Sequence, residues 1–215
     1  MKIGFIGLAG SGKDTVAAMV AEQLRAKGED FKIERFASPL KRAAELIFGS
    51  KFDDRDVKEV TVPIDPDAVL QHTFFILQEV LKFNSEQMDK AGELYAETIG
   101  LYDELSPRKY QQLLGSDIVR EIDENVWAKR LNAVEYSMVI PDVRFPQEVA
   151  VCDHTVLVTR HPVPEGDLHV SERMAAEIQQ RADAEHYVDF VIHNDAGFKE
   201  LEAKVAFFIK HVLKK

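Results

Sequence analysis

The apolar positions of this chain fall into short solid runs separated by stretches with helical spacing. Lys2 to Ile6 is too short and too continuous for an amphipathic helix, and it predicts a buried strand. Val16, Met19, Val20 and Leu24 recur at i, i+3, i+4 and i+8, one face of a helix that Gly28 ends. Phe31 to Phe36 predicts a second strand, and Ser38-Pro39 the N-cap and first residue of a helix through Phe48. From Gly49 to about Pro66 charged residues and turn formers predict an exposed excursion. Residues 66–100 read as helical, with Val69, Phe74, Leu77 and Leu81 apolar and a second helix from about Ser85 to Ile99. Ser106-Pro107 opens a helix through Ile122, and a short helix covers Trp127 to Leu131. Strands return at Ser137–Ile140, Thr155–Thr159 and Val188–Ile192, and an amphipathic helix from Phe198 to Val212 follows. Strands alternating with helices predict an α/β fold, a parallel sheet flanked by helices on both faces.

Composition narrows this picture. A length of 215 residues fits one domain, 1–215, with a helical insertion at about 50–133. With 46% hydrophobic and 30% charged residues the chain can bury a core, which excludes a disordered or collagen-like protein. The net charge of −10 gives no long-range attraction for polyanions, so a nucleic-acid polymer is not an expected partner. Any phosphate ligand needs a local cluster of cations. The single cysteine, Cys152, excludes an internal disulfide and reads as a small buried residue. No signal peptide or membrane span is evident, and the expected location is the cytoplasm.

The chemistry concentrates in Gly7-Leu8-Ala9-Gly10-Ser11-Gly12-Lys13-Asp14-Thr15, between the first strand and the first helix. Glycines let the backbone turn its N–H groups toward an anion, the helix N-terminus adds partial positive charge, and Lys13 adds a full one. The strict phosphate-loop pattern holds through Lys13 and then departs from it, with Asp14 where a hydroxyl is usual and Thr15 one place later. Asp14 reads either as a favourable charge in the first helical turn or as a carboxylate near magnesium or the acceptor. A dinucleotide-binding turn is the rival, with Glu34 as its ribose acid, but it gives Lys13 no role.

Other cations suit a phosphorylated acceptor. Arg42 lies early in its helix; Arg108 and Lys109 begin another, where main-chain N–H groups favour an anion, and Gln112 and Ser116 continue one face. The alternative is a solvated polar face. At the carboxyl end of the third strand, where ligands gather in parallel sheets, Asp142 is placed to act on magnesium and Arg144 to bridge two phosphates. A salt-bridged turn is the plainer reading. Trp127 reads as core or as a platform for a base. The stretch from about 160 to 175 has the composition of a lid, and its histidines lack a third ligand for zinc. His193 to Gly197 reads as a helix cap or as a border to the donor's base.

Taken in order, Ser11 to Thr15, Ser38-Pro39-Leu40-Lys41, Pro107-Arg108-Lys109, Gln112 to Asp117, Trp127, Asp142 to Glu148 and His169 to Glu172 resemble the phage-type deoxynucleoside monophosphate kinases. The resemblance implies phosphoryl transfer from ATP, with Mg2+, to a deoxynucleoside monophosphate. It assigns Gly10, Ser11, Gly12, Lys13, Asp14 and Thr15 to ATP. Arg42, Arg108, Lys109, Gln112, Ser116, Trp127, Asp142, Arg144 and Glu148 go to the substrate. Lys13, Asp142 and Arg144 are then catalytic, Thr15 and Asp142 face the metal, and a homodimer is expected. Other acceptors, such as phosphomevalonate, and a binding module without turnover remain alternatives.

Overall fold

A computed structural model describes residues 1–54, 56–160, 176–177 and 188–213. In chain order the elements are β1 (Lys2–Ile6), α1 (Lys13–Ala26), β2 (Lys32–Ile33), α2 (Ser38–Phe48), β3 (Val62–Pro63) and α3 (Pro66–Phe75). Then come α4 (Ser85–Glu97), β4 (Glu104–Leu105), α5 (Pro107–Gln112), α6 (Val126–Asn132), β5 (Met138–Ile140) and α7 (Pro146–Val149). The remaining elements are β6 (His154–Thr159), β7 (Phe190–His193) and α8 (Phe198–His211). The chain forms two compact units, residues 1–36 with 131–215, and residues 37–130. The second unit starts at Ala37 and takes in α2, whereas the sequence places a helical insertion at about 50–133.

The first unit is built on a five-stranded sheet in the order β2-β5-β1-β6-β7, every neighbouring pair parallel. Ile3 sits opposite Val139 on one side and His154 on the other, so β1 is central. A strand covered on both faces needs apolar side chains at successive positions, which is why β1, β5 and β6 read as solid runs. One face is covered by α1 and α8: Val16, Val20 and Leu24 join Leu201, Val205 and Phe208 over Ile3, Phe5, Val156 and Val158. Each such burial stabilises by about 1.5–3 kcal/mol before entropy is counted. On the other face Gly4 leaves room for Val143 and Cys152, since a Cβ there would lie 2.4 Å from Cys152 Sγ.

The strand expected over Phe31–Phe36 is two residues long. It lies at the sheet edge with both side chains exposed. Glu34 N–H still pairs with Val139 O, but Phe36 N–H turns to a side chain, Asp142 Oδ1, and the ladder stops.

The second unit is mainly helical. Asp65 caps α3, and Asn84 with Gln87 forms a capping box at α4. α3 and α5 each widen into π-helix, at Ile76–Val80 and Leu113–Arg120. Tyr110, fully buried, shares a hydrogen bond of 2.9 Å with Thr73 and meets Phe48 edge to face. β3 and β4 pair antiparallel, giving part of the expected excursion a short ribbon. The expected N-cap Ser38 is instead the first helical residue, with Ala37 at the cap position, because the Ser38 hydroxyl accepts a hydrogen bond from the Arg130 guanidinium at 3.0 Å.

Candidate phosphate-binding site

The turn between β1 and α1 has the backbone that its glycines anticipate. Gly10 and Gly12 have φ of +78° and +88°, a region that costs other residues strain. Gly7 is required by crowding, for a Cβ there would stand 2.5 Å from Val158 O and 2.6 Å from Ser11 Oγ. Ser11 N–H closes the turn onto Leu8 O at 3.1 Å, and the helical ladder starts with Val16 N–H to Gly12 O at 3.0 Å. Between them lies a helix N-terminus, whose first N–H groups have no partner within the helix.

Two side chains point to a ligand at this turn. Lys13 is 9% exposed and folds back over the loop, its ammonium donating to Leu8 O at 3.3 Å. Ser11 is 5% exposed, and its Oγ has no hydrogen-bond partner among the described residues. A buried hydroxyl without a partner is uncommon and calls for one. A phosphate oxygen would satisfy it.

Asp14 lies in the first turn of α1, as the first of its two expected readings has it. It is exposed and forms an ion pair with Arg35 at 2.7 Å, so its charge is balanced by a residue just beyond β2. Sequence reading missed Arg35, although the rule that placed Asp142 beyond a strand's carboxyl end applies to it equally. Thr15 is exposed in the first turn of α1. Glu34, the acid required by the dinucleotide reading, accepts a hydrogen bond from Tyr136 OH.

Asp142 lies half-buried beyond β5, accepting Phe36 N–H at 3.0 Å. Arg144 follows it, half-buried, on a turn held by Glu148, whose Oε2 accepts Arg144 N–H at 2.8 Å and Phe145 N–H at 3.3 Å. Glu148, expected at the substrate, is 2% exposed and directed to this backbone; it shapes the turn that carries Arg144. Cys152 has its Sγ turned inward, 3.5 Å from Glu148 O. Burial, with the charges of Glu148 and Asp153 adding to it, pushes the thiol up to about 12. That thiol stays protonated and is a poor nucleophile.

The second unit carries the remaining expected residues. Arg42 is exposed, its guanidinium 5.8 Å from the Phe75 ring centroid. Arg108 forms an ion pair with Glu59 at 3.0 Å, Lys109 is exposed, and Gln112 and Ser116 are half-buried. In the first turn of α5 the expected Ser106 cap forms, and a second donor is taken up as well. Arg108 N–H donates to Lys58 O at 3.0 Å and Lys109 N–H to Ser106 Oγ at 3.2 Å, so these donors serve the protein itself. Trp127 is 3% exposed and belongs to the core. Of the expected cations, Lys13 and Arg144 belong to the first unit and Arg42, Arg108 and Lys109 to the second.

The last loop ends as the expected helix cap, with Gly197 at the N-cap of α8 and no side-chain cap bond. Asn194 donates from Nδ2 to Ser11 O at 2.9 Å. The expected lid from 161 onward, with His161 and His169, lies outside the described residues, as do Lys214 and Lys215. Among the described residues no helix is long and apolar enough to cross a membrane.

No protein-family model matches the chain, and no curated protein matches it. Among solved structures it is similar to a shikimate kinase from Bacteroides thetaiotaomicron, with 12% identity over the whole of this chain and 99% of that one and a TM-score of 0.46.

Proposed function

We propose that the protein is an ATP-dependent phosphotransferase whose acceptor is a deoxynucleoside monophosphate. The observation that carries the transferase reading is the β1–α1 turn, where two glycines at positive φ, a folded-back Lys13 and an unpartnered Ser11 hydroxyl make a cradle for a phosphate chain. The donor set suits magnesium as well: one hydroxyl, Thr15, and one carboxylate, Asp142, are hard oxygen ligands that leave positions for phosphate and water. When bound, Mg2+ supplies charge neutralisation between the phosphates.

The chain's own residues then have simple tasks. Main-chain N–H groups hold the donor, Lys13 moves from Leu8 O onto the phosphates, and Arg144 neutralises charge as the phosphoryl group passes to the acceptor. No covalent intermediate is needed. The choice of acceptor rests on the ordered resemblance of Arg108, Lys109, Gln112, Ser116, Asp142 and Arg144 to the deoxynucleoside monophosphate kinases.

An ADP-release assay with ATP, Mg2+ and each of the four deoxynucleoside monophosphates tests this. Turnover with at least one of them is expected, and Lys13→Ala should lower kcat by about 100-fold or more. No turnover with any of the four, together with turnover on phosphomevalonate, would move the protein to another acceptor. Binding of ATP with no transfer to any acceptor would make it a binding module.

A further inference from the structure

A residue just past the last strand reaches back to the turn between β1 and α1. Asn194 directly follows β7, and its N–H donates to Thr159 O, at the carboxyl end of β6, at 2.8 Å. Its side-chain Nδ2 donates to Ser11 O at 2.9 Å, 183 positions earlier in the chain. The loop carrying Asn194 is itself held. Lys204 Nζ donates to His193 O at 2.8 Å and pairs with Glu200 at 3.0 Å, while Thr159 Oγ1 lies 2.8 Å from His193 Nδ1. The fit on the phosphate loop is close: a Cβ on Gly12 would stand 2.2 Å from Asn194 Nδ2.

A trans peptide points its C=O and its N–H in opposite directions. With Ser11 C=O turned to Asn194, the Gly12 N–H of the same peptide points away from Asn194. The reverse orientation would replace that donor by a carbonyl, whose partial negative charge repels an anion. We propose that Asn194 is a positioning residue for the phosphate chain: its amide holds the Ser11 carbonyl outward, so that Gly12 N–H is presented to the ligand. This rests on the phosphate-loop reading above and deepens it. Affinity for the polyphosphate, independent of any base, is then set in part by the loop after the last strand. Gly12 is glycine both for its positive φ and to admit this amide.

The test uses the full chain with Mg2+ and two probes, ATP and inorganic tripolyphosphate, by titration calorimetry. Asn194→Leu keeps the bulk and loses the donor, while Asn194→Ala loses both. Each variant should bind both probes about fivefold more weakly than wild type, the value of one neutral hydrogen bond, with Leu no better than Ala. In turnover, KM for ATP should rise while KM for the acceptor stays constant. If Asn194→Leu binds tripolyphosphate within about twofold of wild type, the residue only fills space and the proposal falls. Weakened ATP binding with tripolyphosphate unchanged would make Asn194 a contact to the base, which overturns it too. Should Asn194→Leu fail to fold, Asn194→Ala carries the same comparison of probes. Wild type binding neither probe would remove the phosphate-loop reading itself, and this inference with it.

Discussion

Lys13 and Asp14 are neighbours of opposite charge at the turn proposed to take a polyphosphate, and Arg35 answers the acidic one. A carboxylate beside a triphosphate repels it unless a cation answers it, and the Arg35 guanidinium is 2.7 Å away. Arg35→Ala should therefore weaken ATP binding by about fivefold, the scale of one unscreened charge at moderate distance. Asp14→Asn in the same chain should restore most of the loss. A binding titration of both single variants and the double variant checks this. If Asp14→Asn restores nothing, Arg35 touches the phosphates itself. The sequence announces Lys13 clearly, because a lysine after a glycine turn has few other uses. Arg35 could have been picked out by its place beyond a strand, but its pairing with Asp14, 21 positions away, is named by no local spacing.

At the level of elements, the strands buried in the middle of the sheet were legible, since burial on both faces leaves an unbroken apolar signature. The edge strand was overread: Phe31–Phe36 is apolar enough for a strand, yet Asp142 takes the Phe36 N–H and ends the ladder. At the start of α5 the Ser106 cap was legible, but the bond from Arg108 N–H to Lys58 O was not, because Lys58 is distant in sequence. The π-helical widening at Ile76–Val80 and Leu113–Arg120 leaves the apolar spacing almost unchanged and carries no sequence signal that we identify. The link between α3 and α5 can be tested at the buried Thr73–Tyr110 hydrogen bond. Thr73→Val keeps the shape and leaves Tyr110 OH without its partner, which should cost about 1–3 kcal/mol of stability by urea unfolding. Adding Tyr110→Phe should recover most of that loss, since removing both partners removes the unsatisfied group.

For the molecule as a whole, the two units differ in how their sequence is arranged. Residues 37–130 are contiguous, whereas the sheet unit needs both ends of the chain: β1 pairs with β5 and β6, which come after residue 131. Contacts between distant residues form slowly, because a long loop must close first. Pulsed hydrogen exchange during refolding should therefore find amides of α3, α4 and α5 protected before those of β1. Equal protection times would show that the discontinuity has no kinetic weight. The glycine turn of Gly7–Gly12 is encoded long before Val158 and Asn194, which pack against it, Asn194 lying 183 positions after Ser11. On the ribosome, then, the glycine turn is made well before the residues that hold it, and the proposed phosphate cradle cannot be complete until Asn194 has followed.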